Sequence, residues 1–71
     1  MQLGHSLVAN KASPGTRVRV VEDERRPEYE GMFGTVRASF GNPDYLALDV
    51  QLENGRLELF WFHQLEKVGE R

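Results

Sequence analysis

The dipeptide Asn54-Gly55, set between two apolar alternations, constrains this chain more than any other feature. A two-residue type I′ turn needs positive φ at both central positions, and Asn-Gly is among the pairs that supply it most readily. Before it, Leu46, Leu48, Val50 and Leu52 alternate with Ala47, Asp49, Gln51 and Glu53. After it, Leu57, Leu59 and Trp61 alternate with Glu58, Phe60 and Phe62. Both runs have the period of 2 that marks a strand. Centring the turn on the dipeptide pairs Leu52 with Leu57, Val50 with Leu59 and Leu48 with Trp61 on one face. The other face then pairs Glu53 with Arg56, Gln51 with Glu58, Asp49 with Phe60 and Ala47 with Phe62. A slip of one residue would move every side chain of a strand to the opposite face, so this hairpin predicts Leu57, Leu59 and Trp61 inside and Phe60 and Phe62 outside.

The remaining elements follow from the same periodicity. Pro14-Gly15 opens the domain as a turn, and Thr16–Val21 alternates Val18 and Val20 with Arg17 and Arg19. The charged stretch from Glu22 to Pro27 ends that strand, since Pro is excluded from central strands, and predicts a long exposed loop closing at Tyr29-Glu30-Gly31. A second strand runs over Thr35–Phe40 with Val36, Ala38 and Phe40 on one face. Gly41-Asn42-Pro43-Asp44 is a turn, Tyr45–Glu53 the third strand, and the arm beyond Gly55 the fourth. His63-Gln64-Leu65 suits a 3₁₀ turn and Glu66–Val68 a closing strand. The chain therefore reads as all-β: residues 1–13 an arm, 14–69 a small five-stranded barrel with a terminal 3₁₀ turn, and 70–71 a tail.

Seventy-one residues hold one domain. A chain of this size buries only about 60% of its unfolded surface, and with no cysteine there is neither a disulfide nor a thiolate metal site to support it. A second subunit is the support that remains. His5 and His63 form no metal-ligand spacing, so no metal and no cofactor are expected. The net charge of −2 is uneven: six Lys/Arg against five Asp/Glu in residues 1–40, three against six in residues 41–71. No stretch approaches the ~18 apolar residues of a membrane span, and the start lacks the basic and apolar regions of a signal peptide. The expectation is a cytoplasmic protein without a membrane partner.

The segments Pro14-Gly-Thr-Arg-Val-Arg-Val-Val21 and Tyr29-Glu-Gly-Met-Phe-Gly-Thr-Val36 resemble the opening of KOW-type and related SH3-like domains. That resemblance implies an SH3-like barrel that binds RNA, binds proteins or assembles complexes. The loop Glu22–Glu30 is longer and more acidic than in ribosomal KOW domains. The back half, Leu57-Glu58-Leu59-Phe60 and then Leu65-Glu66-Lys67-Val68, is similar to type II, plasmid-type dihydrofolate reductases, in which four chains surround one pore. The resemblance implies a pore-lining role for the first segment. Glu58 and Phe60 stand where that family carries the Gln and Tyr its chemistry uses, so no catalytic residue carries over, and an oligomeric pore enzyme of this kind is the second alternative for function.

Two groups of residues point to function. Phe60 and Phe62, beside Ala47, form the expected outward aromatic pair, a feature of partner surfaces. The leading expectation is a non-catalytic binding or assembly module acting through protein association, including association with itself. Arg17, Arg19 and Arg37, extended by Arg25 and Arg26, form the second group. Alternation sends the first three outward, where they would contact phosphates, and a nucleic-acid-binding module is the alternative. Trp61 reads as packing, and Tyr29 and Tyr45 as rim residues with hydroxyls in water.

Overall fold

The computed structural model of the chain describes residues 13–41 and 46–68. The expected arm before Ser13, the turn at 42–45 with Tyr45, and the tail lie outside the described residues. Five strands form: β1 (Arg17–Val20), β2 (Phe33–Phe40), β3 (Ala47–Leu52), β4 (Leu57–Trp61) and β5 (Leu65–Lys67). Two 3₁₀ turns, Pro27–Tyr29 and Phe62–Gln64, are the only helical pieces among the described residues. All strand pairs are antiparallel, and the sheet order is β4-β3-β2-β1-β5. The chain is all-β, as the alternation predicts. The second 3₁₀ turn sends the chain away from β4 so that β5 pairs with β1, with Val21 N–H donating to Gln64 C=O at 2.8 Å.

With no helical layer among the described residues, the buried side chains of the strands cover one another. The dry cluster draws on every strand: Val18 and Val20 from β1, Val36 from β2, Leu48, Val50 and Leu52 from β3, Phe60 from β4, and Leu65 from β5, with Tyr29 and Leu46. Gly34 lets β2 and β3 approach this closely: a Cβ there would stand 2.6 Å from Val50 Cγ1 and 2.8 Å from the Gln51 carbonyl oxygen. No other residue fits without displacing β3.

Two register features reassign side chains that the sequence places in the core. The β3–β4 connection is not a two-residue turn. Leu52 N–H donates to Arg56 C=O at 2.8 Å and Gly55 N–H to Leu52 C=O at 2.9 Å, while only Gly55 has positive φ, at 93°. This is a three-residue loop, a type I turn followed by glycine in the left-handed region. The pairing becomes Gln51 with Leu57, Val50 with Glu58, Asp49 with Leu59, Leu48 with Phe60 and Ala47 with Trp61. The one-residue slip inverts β4: Phe60 is 1% exposed, whereas Leu57, Leu59 and Trp61 are 54%, 51% and 49% exposed.

The second feature is a β-bulge in β2. Val36 pairs with Val50 but Ala38 pairs with Asp49, leaving Arg37 as the extra residue. Beyond the bulge the in/out phase reverses, so Ala38 moves to the outer face and Phe40, expected inside, is 52% exposed. The outward aromatic pair is corrected accordingly: Phe60 is core, and Phe62 is partly buried and packed against the core.

This register predicts a sharp contrast between neighbours. In dilute protein, Phe60→Ala should cost about 3–5 kcal/mol in denaturant unfolding, and Trp61→Ala about 0.5 kcal/mol or less. The reverse order would restore the two-residue turn.

Candidate protein-interaction surface

The outer face of β2, β3 and β4 forms rows that follow directly from the register. One row is Phe40, Ala47 and Trp61; the next is Ala38, Asp49 and Leu59; the third is Thr35, Gln51 and Leu57. Directly opposite residues have Cβ atoms about 5 Å apart, so the exposed Phe40, Leu57, Leu59 and Trp61 make one continuous apolar area. Arg37, exposed in the bulge, lies beside Asp49 on the pairing map. Neither Arg37 nor Asp49 forms an ion pair among the described residues.

β4 is an edge strand of this sheet, and unpaired edges invite further strands. Two of its outward-pointing backbone groups are occupied by side chains instead. Arg26 Nη2 donates to Leu59 C=O at 2.9 Å, and Trp61 N–H donates to Gln64 Oε1 at 2.8 Å. The edge is blunted while the face stays open.

Arg26 does more than cover the edge. It donates Nε to Asp23 Oδ2 at 3.0 Å and Nη1 to Glu58 Oε1 at 3.0 Å, and its guanidinium lies 4.7 Å from the Phe60 ring centroid and 5.3 Å from that of Tyr29. Tyr29 meets Phe60 edge to face at 6.2 Å and donates its hydroxyl to Glu58 Oε2 at 3.0 Å. Asp23, only 3% exposed, accepts the Arg25 and Arg26 backbone N–H groups on Oδ1, both at 3.1 Å. The loop expected to be wholly exposed therefore carries a buried carboxylate and a buried tyrosine, and it anchors them to β4. The 3₁₀ turn at Pro27 makes this reach: Pro sits in its first turn, where no N–H is needed. Tyr29, expected at the rim with its hydroxyl in water, is buried with that hydroxyl bonded.

Glu58 collects Arg56, Tyr29 and Arg26. The hydrogen bond from Arg56 and then that from the Tyr29 hydroxyl outweigh desolvation and, with lesser help from the Arg56 and Arg26 charges, hold its carboxyl below the usual carboxylate range. With Glu58 engaged in this way and Phe60 in the core, the stretch Leu57–Phe60 presents only Leu57 and Leu59 outward.

The arginines divide. Arg17, Arg19 and Arg37 lie on paired β1 and β2. Arg19 is bonded to Glu66 at 2.7 Å, and Arg26 is committed to Asp23 and Glu58. Arg17, Arg25 and Arg37 carry no ion pair among the described residues. A cleft of about 790 Å³ opens between the 22–26 loop and β4, with Glu22, Glu24, Arg25, Trp61 and His63 on its walls. His63 meets the Phe62 ring edge to face at 6.0 Å. Among the described residues no group of three His, Cys, Asp or Glu side chains could hold a metal ion, and no helix is long and apolar enough to cross a membrane.

Sequence reasoning missed Leu57, Leu59, Trp61 and Phe40 as surface residues. The signal that could have found them is the pairing of Phe60 and Glu58 with the aromatic and basic residues Tyr29 and Arg26. No protein-family model, curated protein or solved structure matches the chain.

Two measurements probe the Arg26 cluster. Arg26→Met should cost about 3–5 kcal/mol in denaturant unfolding, because it leaves the buried Asp23 uncompensated. Glu58, whose folded pKa is depressed, contributes stability that is complete above the unfolded carboxylate pKa and disappears as pH falls through the folded one. Stability followed from about pH 6 to about pH 3 should drop further in the parent than in Glu58→Gln, the two curves converging at the acid end. Parallel curves would remove Glu58 from the pH dependence.

Proposed function

We propose that this chain is a non-catalytic SH3-like module of the cytoplasm that acts by protein association, and that its contact surface is the outer face of β2, β3 and β4. The observation carrying this reading is the continuous apolar area of Phe40, Leu57, Leu59 and Trp61, each about half exposed. An area of roughly 400 Å² lies within the range of the largest patches on monomeric proteins, which are commonly functional. The aromatic and leucine content, with one charge of each sign, matches the core of an interface. The sheet order, the long first loop and the 3₁₀ turn before β5 support the SH3-like architecture. The expected association surface is thus moved from Phe60 and Phe62 to their neighbours in the sequence, with Ala47 still part of it.

A photoreactive phenylalanine placed at position 57 tests the reading in the cells that make the protein. Irradiation should yield protein adducts from position 57 and none from position 67, exposed on β5 at the far end of the sheet. Adducts to nucleic acid, or none from position 57, would overturn it. In that case an oligonucleotide titration at low salt, compared with Arg17→Glu and Arg37→Glu, examines the arginine face.

A further inference from the structure

The partner can be specified from the charges embedded in this face. Asp49 sits between Ala38 and Leu59 in the middle row, half-buried and without an ion pair among the described residues. Any occupant that covers the face removes water from this carboxylate, which is costly unless a cation is supplied. Arg37, exposed in the bulge opposite Asp49, offers a cation to an anion on the same occupant. The required occupant is apolar, aromatic, and carries one cation beside one anion. That is a description of the face itself.

Resting on the association reading above, we infer that the occupant is a second copy of this chain, docked face to face across a twofold axis, with Arg37 of each copy meeting Asp49 of the other. A twofold contact brings the same surface together twice, so one complementary pair on the face becomes two across the interface. Two patches of roughly 400 Å² give about 800 Å² of apolar surface, below the ~1,200 Å² of stable interfaces, which fits a contact that forms only at high protein concentration. The blunted edge of β4 argues against the competing geometry. With Leu59 C=O held by Arg26 and Trp61 N–H by Gln64, strand-to-strand extension would first have to break both contacts. Face-to-face packing disturbs neither.

Sedimentation equilibrium on the full chain, from micromolar to hundreds of micromolar, tests this. The parent should be dimeric at the upper end. Asp49→Arg sets Arg against Arg and Arg37→Asp sets Asp against Asp, and each should weaken self-association at least about tenfold. An equimolar mixture of the two variants should recover it as a heterodimer, because each 49–37 contact is again Arg with Asp, and the double variant should recover it as a homodimer. Circular dichroism and unfolding curves that match the parent establish that the single variants are folded, and the double variant serves the same purpose independently. A parent that stays monomeric, single variants that dimerise like the parent, or a mixture that fails to recover would overturn the inference. If position 57 cross-links to a different protein while the chain is monomeric, the association reading stands and the second copy falls. If position 57 cross-links to nothing, both fall.

Discussion

The structure depends on the registration of β4 against β3. A three-residue loop with only Gly55 in the left-handed region fixes Val50 opposite Glu58 and Leu48 opposite Phe60. Every later property follows from that phase. Phe60 enters the core, Glu58 comes within reach of Tyr29 and Arg26, and Leu57, Leu59 and Trp61 face outward. The alternative register would bury two leucines and a tryptophan, at first sight the larger apolar gain. It would also turn Glu58 away from Arg26 and Tyr29 and take Phe60 away from the edge of the Tyr29 ring. The observed register satisfies the loop and the strand together.

Arg26 joins these two parts. The sheet ladder ends at β4 on one side and β5 on the other, and the loop between β1 and β2 reaches β4 through Arg26. Arg26 holds that loop through Asp23 within it, through Glu58 and the Leu59 carbonyl on β4, and over the Phe60 ring. A small domain without cysteine uses a paired, mostly buried carboxylate and guanidinium where another would use a disulfide. Such a pair stabilises through complete satisfaction of its hydrogen bonds rather than through net charge attraction. The same arginine occupies the Leu59 carbonyl on the edge of β4.

Much of this fold was legible in the residues. Val18 and Val20, Leu48, Val50 and Leu52 alternate without interruption and occupy the core where alternation puts them. The breaks in phase were not legible. Nothing local marks Arg37 as the bulged residue, since Val36, Ala38 and Phe40 read as one uninterrupted face. Asn54-Gly55 suits a two-residue turn and also the last two positions of a three-residue one, and the choice between them lies some thirty residues away in the loop, in hydrogen bonds and ring contacts to Arg26 and Tyr29. The outward side chains of β4 were therefore read one residue out of place, as Phe60 rather than Leu59 and Trp61. The arginines were legible as outward residues, but the pairing of Arg19 with Glu66 depends on β5 lying beside β1, which spacing alone does not give.

The shortage of core in a chain this short now has a definite form. The large apolar side chains of β4 are divided between a single buried ring and an exposed outer row. The register of β4 is the claim on which this rests, and nuclear Overhauser effects between α-protons measure it directly, because they are strong only between facing residues of non-hydrogen-bonded antiparallel pairs. The account predicts strong contacts from Gln51 to Leu57, Asp49 to Leu59 and Ala47 to Trp61. Strong contacts from Leu52 to Leu57, Val50 to Leu59 and Leu48 to Trp61 in their place would contradict it.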